Sequence, residues 1–218
     1  MDTVYASVSY RLAGNFENLE LTGAANSRGV GNELANEITG NGGDNRLLGL
    51  QGNDRLGGGA GDDVLRGGRN NDVLNGDTGD DVLRGGQGRD ILNGGDGDGI
   101  LIGGVGKDKM TGGEGADIFV FNRVPFTAPT TGRADIITDF DTSMDLIDLR
   151  GLINVPFPSA ALVFIGTGAF LNAPNEVRAE VKSTTTEVQI DLDGDTIADM
   201  VIVLDGVLQL QETNFLML

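Results

Sequence analysis

Between Gly40 and Val120 a large apolar side chain returns at every ninth residue, as Leu47, Leu56, Leu65, Leu74, Leu83, Leu92, Leu101, Met110 and Phe119. Two residues before each stands Asn45, Asp54, Asp63, Asp72, Asp81, Asp90, Gly99, Asp108 or Asp117. Glycines fill the remaining fixed positions, so the unit reads GGxGxDxUx with U apolar, as in GGAGDDVLR (58–66), GGQGRDILN (85–93) and GGEGADIFV (112–120). A unit this short cannot bury its own apolar residue and must stack on its neighbours. The pattern predicts an all-β solenoid.

Within a unit the glycine-rich half suits a tight loop, because glycine tolerates positive φ and close backbone approach. The other half, as in Asp72-Val73-Leu74-Asn75, suits a short strand. Two units then complete a circuit of about 18 residues, with two parallel sheets facing each other across the column of apolar side chains. Upstream, Val4, Ala6, Val8, Tyr10 and Leu12 alternate as in a strand, and Leu19 and Leu21 repeat the pattern after a turn. GNELANEIT (31–39) keeps the apolar position at Ile38 and loses the acid to Asn36.

Residues 1–39 are therefore expected to be degenerate, metal-free turns that start the stack and shield its end, and residues 40–120 the roll itself. In residues 121–218 the glycine content falls and apolar runs lengthen, at 162–165, 187–190 and 200–204. This segment is expected to be an antiparallel or mixed β cap. Within it, 126–133 reads as a loop and 172–181 as either a short helix or a strand.

The acids carry the chemistry. Stacked circuits sit roughly 4.7–4.9 Å apart, so acids from alternate units line up in two rows. One holds Asp54, Asp72, Asp90 and Asp108; the other holds Asn45, Asp63, Asp81, Gly99 and Asp117, broken at Gly99 unless Asp98 or Asp96 shifts to compensate. Carboxylates that close resist joint ionisation, and a cation must fill the gaps. Carboxylate and carbonyl oxygens suit Ca²⁺, whereas Mg²⁺ keeps its water and zinc favours His and Cys. Asn70 and Asp77 replace loop glycines, and Asn is among the residues that best tolerate the left-handed region.

Composition narrows the functions further. With 33 acidic against 15 basic residues the net charge is −18, which excludes nucleic acid as a partner and points to cations. There is no histidine and no cysteine, so neither an HExxH zinc site nor a Ser-His-Asp triad exists. The acids fall in rows rather than around a pocket, unlike a paired-carboxylate hydrolase. The chain reads as non-catalytic. It has no apolar run long enough for membrane insertion and no cleavable signal at its start.

The nonapeptide resembles the RTX calcium-binding repeat. Residues 4–45 are similar to the lead-in of such proteins. GADIFVFNRV, ADIITDFDTSMDLIDLRGL and VQIDLDGDTIADMVIVLDGV resemble the C-terminal segment of serralysin-type proteases and the repeat modules of alginate epimerases. The resemblance implies a right-handed parallel β-roll with a C-terminal β-sandwich-like cap, which binds several Ca²⁺ ions and folds outside the cell after export by type I secretion machinery. It implies side-chain ligands at Asp54, Asp63, Asp72, Asp81, Asp90, Asp108 and Asp117. Backbone carbonyl ligands are implied at Gly59, Gly61, Gly68, Asn70, Asp77, Gly79, Gly86 and Gly88.

Other features are read beside the resemblance. The opening residues look like the middle of a longer lead-in, which implies a larger exported protein. The final ETNFLML resembles an uncleaved export signal and reads equally well as a closing strand. Asp191, Asp193, Asp195 and Asp199 resemble the start of an EF-hand loop, yet Ile202 stands where that loop needs Glu; a solvated turn is the competing reading. Asp135, Asp139, Asp141, Asp145 and Asp148 surround an expected hairpin in which Ser143 replaces the family's glycine; they are a second candidate cluster for further metal, with a structural role as the competing reading. The epimerase resemblance offers a second function, binding of an acidic polysaccharide along a stripe of Arg46, Arg55, Arg66 and Arg84. An adhesin fragment is a third.

Overall fold

The computed structural model describes residues 2–122, 134–154 and 161–217; the loop expected at 126–133 lies outside them. The lead-in contributes β1 (Thr3–Ala6), β2 (Tyr10–Arg11), β3 (Asn18–Leu21), β4 (Arg28–Val30) and β5 (Glu37–Thr39). The repeats contribute β6 (Arg46–Gln51), β7 (Arg55–Ala60), β8 (Val64–Arg69), β9 (Val73–Thr78), β10 (Val82–Gln87), β11 (Ile91–Asp96), β12 (Ile100–Val105), β13 (Lys109–Glu114) and β14 (Ile118–Val120). After them come β15 (Asp135–Ile137), β16 (Leu146–Asp148), β17 (Val163–Phe164), β18 (Glu176–Val181), β19 (Thr185–Asp191), β20 (Met200–Asp205) and β21 (Phe215–Leu216).

Odd-numbered strands β1 to β15 stack in order into one sheet, and even-numbered strands β2 to β16 into the other. Pairing is parallel, and Leu83 sits in register with Leu65 on one side and Leu101 on the other, which is the 18-residue circuit. Each repeat strand from β6 to β13 is longer than its apolar triplet. It runs from the seventh position through the third of the next unit, as in Arg55–Ala60, and leaves only the fourth to sixth positions to turn.

Alternation along these strands turns the sixth, eighth and first positions inward, an acid, a large apolar residue and a glycine. The column from Leu47 to Phe119 is the core, each member no more than 1% exposed. Burying each such side chain contributes about 1.5–3 kcal/mol. A one-residue slip would turn the whole column to solvent, so the apolar positions fix the register.

The two ends depart from the expectations. The alternating run from Val4 to Leu12 is two strands in opposite sheets, β1 and β2. Ala6 and Leu12 are buried, whereas Val8 is 66% exposed, because the chain crosses between sheets there. The segment Asp135–Asp148 is not a hairpin: β15 pairs with β13 and β16 with β14, so it forms another circuit of the roll. Its turn does not require glycine, since the Asp141 carboxylate accepts both the N–H and the hydroxyl of Ser143, at 2.8 and 2.6 Å.

In the cap, β20 continues the first sheet beside β15, followed by β19 and β18 in antiparallel order and then β17. Residues 176–181 are thus strand rather than helix. In the second sheet β21 pairs with β16, and Phe215 is buried, so the chain's last residues close that sheet. The helical turns at Arg150–Asn154 and Glu212–Asn214 are 3₁₀. Among the described residues no helix is long and apolar enough to cross a membrane.

Leu83→Ala, in the middle of the apolar column, is expected to cost about 2–5 kcal/mol. Urea unfolding with calcium in excess measures this, and a loss below half a kilocalorie would contradict the packing described.

Candidate metal centre

The turns are shaped by two different uses of glycine. From Leu50 onward φ is positive at the second and fourth positions, as at Gly59 (104°), Gly61 (103°), Gly86 (121°) and Gly88 (137°). Asn70 and Asp77 hold the same conformation at 75°, as expected of small polar residues in the left-handed region. A side chain at Gly86 would also strike the Gly68 carbonyl one circuit below. The first position has ordinary φ, and its glycine serves another purpose: a Cβ on Gly58, Gly67, Gly76 or Gly85 would collide with the carboxylate of Asp63, Asp72, Asp81 or Asp90 in its own unit. The sequence held a signal for this, since the first position is glycine in all nine units while the second admits Asn41, Leu50 and Asp77.

That clearance lets the carboxylates turn inward and stack. One oxygen of each accepts the backbone N–H of the sixth-position residue one circuit earlier. In the first row these bonds run Asn36 to Asp54, Asp54 to Asp72 and Asp72 to Asp90 (each 2.8 Å), then Asp90 to Asp108 (2.9 Å) and Asp108 to Asp135 (2.8 Å). In the second they run Asn45 to Asp63 (2.6 Å) and Asp63 to Asp81 (2.7 Å), lapse at Gly99, and resume from Gly99 to Asp117 (2.8 Å) and Asp117 to Asp145 (3.0 Å). Asp135 and Asp145 therefore extend the two rows. The sequence marked both only as members of the 135–148 acid cluster and not of the rows, because spacings of 27 and 28 residues replace the 18-residue period there.

The second oxygen is left without a partner. Oδ2 of Asp54, Asp63, Asp72, Asp81, Asp90, Asp108 and Asp117 is buried and forms no hydrogen bond, and each of these residues is 1% exposed. A buried, unsatisfied polar atom costs about 1–3 kcal/mol, and more when charged. Burial pushes the carboxyl groups up to about 7 at Asp63, Asp72 and Asp108, and to about 6 at Asp54, Asp81, Asp90 and Asp117. At Asp63 and Asp72 the neighbouring carboxylates Asp81 and Asp90 add to the rise. These rows can take a proton or hold a cation, and their donor atoms are oxygens alone.

The loop residues lie between circuits. Carbonyl oxygens of Gly61, Gly68, Asn70, Asp77, Gly79, Gly86 and Gly88 occupy the space that a Cβ would take on the glycine one circuit on, while the Gly59 carbonyl accepts the Thr78 hydroxyl at 3.4 Å. Asp96 and Asp98 are exposed and do not repair the gap at Gly99. Asp98 instead belongs to an outer ladder at the fifth position, in which Asp44, Asp62, Asp80 and Asp98 accept N–H groups from Asp62, Asp80, Asp98 and Ala116.

The remaining acids have backbone partners. Asp145 accepts Asp117 and Asp141 N–H, and Asp139 accepts Gly112 and Gly113 N–H. Arg150 holds the Asp148 carboxyl below the usual range, with an ion pair at 2.7 Å. Carboxylate oxygens of Asp191, Asp193 and Asp195 gather within 4.8 Å of one another. They accept N–H groups of Gly194, Thr196, Asp195 and Ile197, and Asp199 accepts that of Leu192. Those bonds shape a turn.

The arginine stripe resolves differently from its sequence pattern. Arg66 and Arg84 are register neighbours on the second sheet. With Arg11 and Arg69 they line a groove of about 950 Å³, and among the described residues none of the four forms an ion pair. Arg46 shares that sheet but not the groove lining, and Arg55 lies on the opposite sheet, because the two occupy the seventh position of successive units.

A family model described as the peptidase M10 serralysin C terminal matches residues 26–217. Among solved structures, the solution structure of the AlgE6R3 subunit from the Azotobacter vinelandii mannuronan C5-epimerase is 27% identical, covering 71% of this chain and 77% of its own, with a TM-score of 0.34. No curated protein matches the sequence.

The raised carboxyl groups make a pH prediction for the metal-free chain. Their folded values lie above the ordinary 3.8, so the stability they permit is complete below about pH 4 and is lost as the pH rises through 6–7. In chelator the thermal midpoint is expected to be higher at pH 4.5 than at pH 8, and Asp72→Asn should flatten the dependence. A midpoint that rises with pH, followed by circular dichroism, would contradict the buried rows.

Proposed function

We propose that this chain, which belongs to the peptidase M10 serralysin C-terminal family, is a calcium-binding, non-catalytic module that folds outside the cell. The observation that carries this reading is the set of seven buried Oδ2 atoms without a partner. Calcium accepts 6–8 oxygen ligands in flexible geometry, and it would find them in carboxylates of adjacent circuits together with carbonyls from Gly59, Gly61, Gly68, Asn70, Asp77, Gly79, Gly86 and Gly88. The first row runs unbroken from Asp54 to Asp135, so it holds more ions than the second, which lapses at Gly99.

The mechanism is metal-coupled folding. A cation that binds only the stacked state stabilises it by mass action. Extracellular calcium sites typically work at about 10⁻⁴–10⁻³ M, far above cytosolic calcium, so the chain stays unfolded inside the cell and orders after type I export. In that role it supports secretion and stability of an attached exported protein. Residues 1–39 start the stack, 40–120 hold the ions, and 121–218 cap the roll and carry the export signal at its end.

The test is circular dichroism in chelator and after adding Ca²⁺, with a cooperative gain of β signal expected. Asp72→Ala should shift the calcium midpoint more than Asp62→Ala. Asp72 belongs to a buried row, while Asp62 is exposed and serves one N–H of the outer ladder, a bond worth about 0.5–1.5 kcal/mol. Equal β content in both conditions refutes the reading.

One observation favours a second activity, binding of an acidic polysaccharide. In a chain of net charge −18, the groove gathers Arg11, Arg66, Arg69 and Arg84 beside one acid, Glu33, none of the four arginines forms an ion pair among the described residues, and guanidinium forks suit carboxylates. Arg66→Ala with Arg84→Ala should weaken binding of uronate oligomers at least tenfold at fixed calcium, measured by calorimetry. Unchanged binding, or none by the parent chain, removes this activity.

A further inference from the structure

The turns preceding Asp54 and Asp63 differ from those that follow. Their sixth positions are Asn36 and Asn45, and the second positions of the same units are Asn32 and Asn41. Each sixth-position oxygen accepts the backbone N–H of its second-position partner, Asn32 to Asn36 at 2.8 Å and Asn41 to Asn45 at 2.7 Å. The amide nitrogens do the rest. Asn36 Nδ2 donates to the carbonyls of Phe16 and Glu17 and to Asn32 Oδ1 (3.3, 3.2 and 3.2 Å), while Asn32 Nδ2 donates to the carbonyls of Ala13 and Phe16 (2.7 and 2.8 Å). In the other row Asn45 Nδ2 donates to Asn41 Oδ1 (2.9 Å), and Asn41 Nδ2 to the carbonyls of Thr22 and Ala25 (3.3 and 3.1 Å).

Each pair thus collects the loop carbonyls of the circuit below around N–H groups. The seven sixth-position aspartates each leave a buried oxygen unsatisfied, and none of these four asparagines does. An amide carries both a donor and an acceptor without net charge, so it can meet oxygens that a carboxylate can share only through a cation. Two asparagines are needed, because one reaches the carbonyls and the other occupies the place of the acid.

Resting on the calcium reading, we infer that the Asn32–Asn36 and Asn41–Asn45 pairs are built-in replacements for the ion. They terminate both calcium rows on the lead-in side, so no ion binds between the circuits they join. Where the amides are removed and the acid restored, a new site should open.

The test counts bound calcium per chain by equilibrium dialysis and elemental analysis. Asn32→Gly with Asn36→Asp should raise the count by about one ion, given a restored oxygen cage, and Asn41→Gly with Asn45→Asp should do the same in the other row. An unchanged count in both folded variants overturns the inference while leaving calcium binding intact. A parent chain that binds no calcium overturns the reading beneath it instead. If neither variant regains the parent β signal, hydrogen exchange of the Asn36 and Asn45 side-chain NH₂ groups in the calcium-loaded parent decides. Slow exchange supports the inference, and exchange at the free-amide rate overturns it.

Discussion

A buried carboxylate with one oxygen unbonded can persist as the neutral acid or beside a positive charge, and in this chain the arrangement recurs along two rows. Each Asp is held by the backbone N–H of the circuit beneath it, so the backbone itself sets the spacing of the charges. Desolvation is the largest cause of the raised carboxyl groups, ahead of repulsion between neighbours. The cost is therefore present in every turn that carries an Asp, and lengthening the row does not dilute it.

Against that cost stands the apolar column. Leu56, Leu65, Leu74, Leu83 and Leu92 are all but sealed from water, and parallel pairing in an 18-residue register places each on its own counterpart. The same register aligns the carboxylates. What drives stacking and what opposes it are thus inseparable, since no slip of the strands could keep the leucines in and move the aspartates apart. The first-position glycine belongs to both sides: it leaves a sheet position without a side chain, and the carboxylate lies in the space so left.

The ends of the rows show how the stack stops. On the lead-in side, side-chain amides satisfy the loop carbonyls without charge. On the cap side, Asp145, the last acid of the second row, spends both oxygens on backbone N–H groups. A solenoid needs terminal turns unlike its interior ones, and here the difference lies in how the sixth position is satisfied. Beyond it, β20 and β21 carry the two sheets past the repeats, and β19 and β18 turn antiparallel once the 18-residue period no longer dictates parallel stacking.

The nonapeptide period by itself determined the solenoid, the apolar column and the two Asp rows, because a strict repeat in a parallel stack leaves one register that buries every large side chain. It also placed the lapse at Gly99 and the left-handed turns at Asn70 and Asp77. Tertiary structure decided what the period does not encode. Asp135 and Asp145 join the rows across insertions, β15 and β16 part into opposite sheets, and Val4–Leu12 divides between two strands, since local alternation cannot say which sheet a strand enters. Only stacking brought Arg11 and Arg69 beside Arg66 and Arg84, and only the inward turn of the carboxylates revealed why glycine stands first in the units that carry an Asp, while at Gly40 and Gly94 a carbonyl of the next circuit fills the same space.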